Sequence, residues 1–190
     1  DEAEGGEVYY RTGRGGTSLG RAVHSVLQSI DLATGEGLEE MSKAQAAGEG
    51  IHDKWQEVAK LVQSGLDSEV VKRAVASGRY YREVFVGAPL EKRLVEGFID
   101  LLFEEDGSLV IADYKTDALD NEEEEMKREK QYSLQAGTYA FTVEQVTGRH
   151  VKEVVLVFLR SAREISKVNI DSLTFETRQR IISIFNDNGG

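Results

Sequence analysis

The stretch GFIDLLFEEDGSLVIADYK, residues 97–115, decides how this chain folds. Asp106-Gly107 in its middle is a strong signal for a two-residue β-turn, and the residues on either side are rich in Leu, Val, Ile and Phe. The stretch therefore predicts a β-hairpin, with strands over residues 93–103 and 109–115.

The register of this hairpin places three charged residues on one face. If the turn has two residues, Glu105 pairs with Ser108, and Asp100 then lies directly opposite Asp113. Counted from the turn, Asp100 and Asp113 form a non-hydrogen-bonded pair, with Cα atoms ~4.5 Å apart. Lys115 is two residues beyond Asp113, so the same face carries it.

Two carboxylates facing each other repel, and burial beside Phe98 and Leu102 raises the cost. A divalent cation between the carboxylates removes the repulsion, and a proton shared by them is the other physical solution. An exposed hairpin whose charges keep a sheet edge soluble is an alternative. It fits poorly, because residues 109–112 are apolar on both faces, as in an interior strand. The pattern favours a metal site.

Hydrophobic periodicity along the rest of the chain predicts a single α/β domain of residues 1–190. Residues 1–16 are Gly-rich and predict a flexible N-terminal segment, 17–78 a helical region with Ser18 as the first N-cap, and 79–190 the α/β core. The core is predicted to be a mixed central sheet flanked by helices. The predicted elements are helices at 18–31, 38–77 (interrupted near 48–50 and 64–65), 121–147 and 172–186, and strands at 80–86, 93–103, 109–115, 151–159 and 165–170.

Composition restricts the possible functions. The chain has 190 residues, with 23 Lys+Arg against 34 Asp+Glu and a formal net charge of −11. This balance argues against a protein that grips nucleic acid by bulk positive charge. The chain has no cysteine, which excludes disulfides and Cys-ligated zinc or iron–sulfur sites and fits a reducing cytoplasm. No apolar run approaches the ~20 residues of a membrane span.

The N-terminus, DEAEGG, has neither an initiating Met nor a signal-peptide pattern. We therefore expect a fragment of a longer protein.

Four short motifs follow one another between residues 20 and 139. They are Gly20-x-x-x-His24, Gly97-Phe98-Ile99-Asp100, Asp113-Tyr114-Lys115-Thr116 and Gln135-x-x-x-Tyr139. In this order they resemble the RecB-like branch of the PD-(D/E)xK nuclease superfamily, and most closely the C-terminal nuclease domain of AddA/UvrD-type helicase–nucleases. One motif alone would be weak, but four in order are specific. The resemblance implies a restriction-endonuclease-like core.

The resemblance also implies a chemistry. A metal would be held by His24, Asp100, Asp113 and the backbone carbonyl of Tyr114, with Asp100, Asp113 and Lys115 as the catalytic group. The metal is expected to be Mg²⁺, with Mn²⁺ as a substitute. The implied activity is metal-dependent hydrolysis of DNA, by an exonuclease acting on single-stranded ends in DNA repair and recombination. A bacterial cytoplasmic location, with activity at the nucleoid, follows from the same resemblance.

The resemblance also implies that one face of the downstream helix borders the active site and helps to hold the DNA strand. Gln131, Gln135 and Tyr139 share one helix face, and Arg21 lies on the first helix. The alternative for the helix face is a partly buried packing surface with hydrogen-bonded polar tips. Glu83 is either a further acidic site residue or an ordinary exposed strand Glu. Possible phosphate contacts, in addition to Arg21, are Arg11, Arg14, Lys127, Arg128 and Lys130, whereas the acidic run at 122–125 would repel DNA.

No phosphate-binding loop of the Gly-x-x-x-x-Gly-Lys-[Ser/Thr] type is present, which supports an excised domain or a stand-alone nuclease and not a complete motor. The resemblance implies a helicase motor as partner, in cis or on a helicase subunit. Neither a membrane partner nor an iron–sulfur cluster is expected. His52 and His150 match no motif and are predicted to be surface or structural residues. The alternative function is a catalytically inactive nuclease-like domain that binds DNA or serves as a scaffold.

Overall fold

The computed structural model describes residues 8–12, 16–91, 93–117 and 122–187, and it shows a six-stranded mixed sheet with helices on both faces. The predicted α/β class is confirmed. In chain order the elements are β1 (Val8–Thr12), α1 (Ser18–Ser29), α2 (Leu38–Gly48), a 3₁₀ turn (His52–Lys54), α3 (Trp55–Leu66), α4 (Glu69–Ser77), β2 (Tyr80–Leu90), β3 (Arg93–Glu105), β4 (Ser108–Lys115), α5 (Glu122–Thr147), β5 (Val151–Phe158), β6 (Arg163–Lys167) and α6 (Ile170–Asp187).

The β3–β4 hairpin forms in the predicted register. Its recorded pairs run from Glu105–Ser108 to Leu101–Ala112. Asp106 and Gly107 both have positive φ, 52° and 79°, as the two central residues of a type I′ hairpin turn require. The local turn sequence therefore fixes the register that the charged residues of β3 and β4 inherit.

The sheet separates two apolar layers. Alternate residues of β4 face opposite sides, so Val110 packs with α1, α3 and α4, whereas Ile111 packs with α5. β4 lies between β3, to which it is antiparallel, and β5, to which it is parallel. The prediction of an interior β4 is confirmed. None of the described helices combines the length and the apolar character needed to cross a bilayer.

The predicted flexible segment over residues 1–16 is wrong at Val8–Thr12, which form β1 and pair in parallel with β3. β2 pairs with one edge of β3 along most of the length of β3. β1 and β4 therefore pair with the other edge of β3, β1 with residues 94–97 and β4 with residues 101–105. The stretch VYYRT has the β-branched and aromatic residues that favour strands, although glycines surround it.

Several element boundaries also differ from prediction, the largest being the end of β2, which runs to Leu90 and not to residue 86. Thr17, not Ser18, is the N-cap of α1, and its hydroxyl accepts from the N–H of Gly20 at 3.1 Å. β6 and α6 each begin two residues earlier than expected. Both shifts lie within the uncertainty of reading element ends from a hydrophobic pattern.

α5 and α6 pack closely at Gly137. A Cβ added at Gly137 would lie 1.9 Å from Thr177 Oγ1 and 3.0 Å from the carbonyl oxygen of Leu173. Thr177 is buried, so its side chain has little room to move away. A glycine inside a helix normally weakens it, and here the close approach of α6 explains its presence.

We expect Gly137→Ala to lower the free energy of unfolding by about 1–3 kcal/mol, because overpacking outweighs the better helix propensity of alanine. Gly48→Ala, at the end of α2, meets nothing within 4 Å and is the matched control. It should be neutral or gain up to about 1 kcal/mol. Urea denaturation followed by circular dichroism measures both, and equal stability of the two variants would contradict the close packing.

Candidate active site

The four sequence motifs meet at one cavity of about 650 Å³. Its walls come from α1, β3, β4 and α5, which reach the cavity from both faces of the sheet. The residues predicted for metal, catalysis and substrate all line it: Arg21, His24, Asp100, Asp113, Tyr114, Lys115, Gln131, Gln135 and Tyr139.

Asp100 joins α1 to the hairpin. Its Oδ1 lies 2.9 Å from Nδ1 of His24, and its Oδ2 accepts a hydrogen bond from the backbone N–H of Tyr114 at 2.7 Å. The recorded backbone pairs of the hairpin end at Leu101–Ala112, one residue before the predicted pairing of Asp100 with Asp113. At this point the side chain of Asp100, and not a backbone carbonyl, accepts the hydrogen bond from the backbone N–H of Tyr114. The carboxylates of Asp100 and Asp113 both line the same cavity.

Gly20 explains why the first motif begins with glycine. A Cβ at this position would lie 3.1 Å from Oγ1 of Thr116, the residue after Lys115. Glycine thus lets the first turn of α1 approach the end of β4. One helical turn later, the edge of the His24 ring faces Tyr114, with ring centroids 6.2 Å apart.

The charges in the cavity perturb one another. Burial lowers the pKa of His24, but the charge and hydrogen bond of Asp100 outweigh it and raise that pKa to about 9. Burial likewise disfavours ionised Asp100, yet its contacts with His24 keep its pKa below the usual value. Burial raises the pKa of Asp113 to about 6, with Asp100 adding to the shift and Lys115 opposing it.

Lys115 is held by three side chains. Its Nζ lies 2.5 Å from Asp113 Oδ2, donates to Gln135 Oε1 at 2.5 Å, and sits 4.4 Å from the ring centre of Tyr132. Gln135 Nε2 in turn donates to the hydroxyl of Tyr139 at 2.9 Å. Tyr139 is only 1% exposed, so it supports Gln135 from within the protein.

The donors present suit a divalent cation. His24, Glu83 and Asp100 each offer a ligand atom, and these atoms lie within 4.8 Å of one another. Asp113 Oδ2 is buried and, although Lys115 is close, no hydrogen bond of adequate geometry satisfies it. Carboxylate oxygens with one imidazole are a donor set typical of Mg²⁺ or Mn²⁺. The residues therefore fit a metal ion.

Glu83 is the residue that sequence reasoning undervalued. Its neighbours Arg82 and Val84 pair with Leu101 and Ile99 of β3, so Glu83 lies opposite Asp100. Its backbone adopts a left-handed φ of 51°, which is uncommon for a glutamate and often marks a functional position. The register between β2 and β3 would have placed Glu83 in the site, but the sequence alone did not determine that register.

Several predicted phosphate contacts are ion-paired instead. Arg21 pairs with Glu49 at 2.6 Å and also donates to the carbonyl of Gly16 at 2.7 Å. Arg128 pairs with Asp117 at 2.6 Å. The side chains of four other candidates, and of the acidic run at 122–125, lie outside the described residues: Arg11, Arg14, Lys127 and Lys130.

The two remaining histidines do not line the cavity. His52 is exposed, and His150 is exposed with its Nδ1 3.1 Å from Glu144. Their placement agrees with the surface role predicted for them.

A family model for the PD-(D/E)XK nuclease superfamily matches residues 7–186. The chain belongs to this superfamily. The match covers all four motifs and the two aspartates, the lysine and the histidine that converge in the cavity, and so explains their common location.

Relatives of this nuclease-superfamily domain are named as subunits of ATP-dependent helicase/nucleases. The protein from Bacillus cereus (strain AH820) is 30% identical over 164 residues, which are 73% of this chain and 13% of that protein. The one from Thermoanaerobacter sp. (strain X514) is 33% identical over 155 residues, 70% of this chain and 12% of its own length. The chain thus spans about an eighth of these relatives.

A solved structure from Eubacterium rectale, of a protein assigned as an exonuclease, aligns with 80% of this chain and 69% of its own. The identity is 13% and the TM-score 0.44, so this likeness carries no functional weight.

We expect Mn²⁺ to bind at the carboxylate cluster and to bind more weakly after His24→Ala, Asp100→Asn or Glu83→Gln. The loss should be at least the roughly tenfold that removal of an outer partner costs a metal site. Electron paramagnetic resonance of free Mn²⁺ measures the affinity. Glu176→Gln, an exposed glutamate of α6, is the control for Glu83→Gln. Unchanged affinity in the His24 and Asp100 variants would refute the site.

Proposed function

We propose that this nuclease-superfamily domain is a metal-dependent deoxyribonuclease, an exonuclease that hydrolyses phosphodiester bonds at single-stranded DNA ends in repair and recombination. The observation that carries the proposal is the convergence of His24, Asp100, Asp113 and Lys115 in one cavity.

The metal would be held by His24, Asp100, Asp113 and the carbonyl of Tyr114, with Glu83 as an additional carboxylate. A divalent cation bound there, Mg²⁺ or in its place Mn²⁺, would lower the pKa of a coordinated water and neutralise charge on the phosphate. Oδ2 of Asp113 is buried beside Lys115 without a hydrogen bond, and this supports the arrangement, because a buried carboxylate oxygen that lacks hydrogen bonds is costly.

Lys115 supplies positive charge where negative charge develops. An ammonium has three N–H donors, and Asp113 and Gln135 account for two of its contacts. The remaining donor is available to the attacking water or to a non-bridging phosphate oxygen. A preorganised cation at this position stabilises the transition state more than the ground state.

Gln135 and Tyr139 act on Lys115 and not directly on the strand. Tyr139 is buried and holds Gln135, which holds the ammonium. Gln131 is exposed on the cavity rim, where a substrate strand would meet it. Of the three helix-face residues, we therefore propose Gln131 as the direct strand contact and the other two as positioning residues.

The acidic character of the chain supports a role within a larger machine. A net charge of −11 gives little attraction to a polyanion. A helicase motor, in cis or on a partner polypeptide, would deliver single strands to the cavity, and the names of the helicase/nuclease relatives favour this arrangement. We place the activity in the bacterial cytoplasm, at the nucleoid.

The same acidity is what favours the alternative, a nuclease-like domain that binds without cutting. The retention of the lysine and both aspartates at bonding distance from their partners argues against it. A domain released from catalysis has no reason to keep buried charges that cost stability.

We expect Lys115→Ala to reduce cleavage of an end-labelled single-stranded oligonucleotide in Mg²⁺ by at least about a hundredfold, the scale for losing one transition-state contact. Lys72→Ala, at an exposed lysine of α4, is the matched control and should cut normally. His24→Ala and His52→Ala form a second pair. Equal activity of Lys115→Ala and the parent chain would overturn the proposal, and so would a parent chain that cuts no DNA with its motor supplied.

Tyr139→Phe removes only the hydroxyl that Gln135 Nε2 donates to. We expect kcat to fall about ten- to a hundredfold, since Lys115 loses its alignment, while KM for the strand stays the same. Tyr81→Phe, an exposed tyrosine of β2, controls for loss of a hydroxyl. A raised KM with unchanged kcat would instead make Tyr139 a strand contact.

A further inference from the structure

Beside the cavity, one face of the β2–β3 extension carries exposed residues in the part of the chain that the structure describes. Beyond Glu83, the β2 residues Val86, Ala88 and Leu90 pack in the apolar clusters below α5 and α6. Their neighbours point the other way, and of these Phe85 is 53% exposed. An exposed phenylalanine alone needs no explanation, so its surroundings decide its meaning.

Phe85 forms a pair with a cavity residue. It lies directly across from Phe98 in the β2–β3 ladder, with ring centroids 5.3 Å apart and planes inclined by 57°. Phe98 lines the cavity, two residues before Asp100. The ring of Phe85 also leans over Gly87, where an added Cβ would lie 3.7 Å from its Cζ. The two rings therefore form a continuous aromatic surface from the cavity wall to solvent.

The charge of the cavity requires a contact other than salt bridges to phosphate. The Arg and Lys side chains that line it, Arg21 and Lys115, are both ion-paired, to Glu49 and Asp113. The chain as a whole carries −11. Among the described residues, charged contacts to phosphate are thus few, and an uncharged interaction would add to binding of a nucleic-acid strand; stacking of a base on an aromatic ring contributes about 1–3 kcal/mol.

We propose that Phe85 and Phe98 form a stacking platform for one nucleobase of a single-stranded substrate, next to the phosphate that reacts. This inference rests on the proposed nuclease function, because it assumes that the cavity binds a phosphodiester. Only an unpaired base exposes its π-face, so the platform selects single strands and frayed ends over a paired duplex. It also tolerates any base, since all bases stack.

The test compares a single-stranded oligothymidylate with a strand of equal length that has abasic sites throughout. Binding is measured by fluorescence anisotropy in EDTA, so no cleavage is needed. The parent chain should prefer the strand with bases, and Phe85→Ala should lower that affinity by about five- to a hundredfold, the effect of losing one stacked base. Phe85→Leu should lose it as well, because it keeps apolar bulk without a π-face.

Tyr81→Ala is the matched control: Tyr81 is an aromatic of the same strand, 60% exposed, and its ladder partner is Leu102, not Phe98. It should keep the preference for bases. Phe85→Trp adds a positive readout, since its fluorescence should be quenched by the thymidine strand and not by the abasic one. An intact preference in Phe85→Ala, or an equal loss for both strands, would overturn the platform.

The same strands separate the two proposals when Mg²⁺ is added. A chain that prefers bases but cuts neither strand, even with its motor supplied, would contradict the nuclease function and leave the platform standing. A chain that cuts both strands equally well and binds them equally would contradict the platform and leave the nuclease function standing.

Discussion

The carboxylate of Asp100 holds the site together, because its two oxygens bond to two different elements. One oxygen meets His24 on α1 and the other takes the backbone N–H of Tyr114 on β4. Burying an ionised carboxylate is costly unless such partners replace the water that it loses. Since Asp100 itself lies on β3, one side chain fixes the relative positions of three elements.

This arrangement buries two carboxylates close together inside the protein, a location that charged residues usually avoid. Asp113 is buried close to Asp100, and its raised pKa expresses the resulting cost. The strand that carries Asp113 can bear this cost because it is buried between β3 and β5 and packed on both faces. The apolar layers stabilise the fold, and this stability offsets the cost of burying the charged residues at the end of β4 in a reactive geometry.

What the sequence could predict is what local chemistry determines. The Asp106-Gly107 turn fixes the β3–β4 register, so the residue pattern alone was enough to place the two aspartates and Lys115 on one side. Glu83 was undervalued because its place depends on a second, longer-range pairing. The ion pair of Arg21 with Glu49, 28 residues away in sequence, depends on how α1 and α2 pack, and a residue pattern carries no signal for that.

Under the proposed function, this acidic nuclease-superfamily domain meets a general difficulty: the substrate would be a polyanion, and the negative field of the domain would repel it. The contacts of this chain divide the task. The carboxylate cluster suits a cation that can neutralise the one phosphate that reacts, and Lys115 adds a single positive charge at that point. The aromatic rings of Phe85 and Phe98 beside them carry no charge, so the negative field of the chain does not oppose stacking on them. Under the proposed function, long-range attraction would come from other parts of a larger assembly, and strands would reach the cavity by delivery and not by diffusion alone.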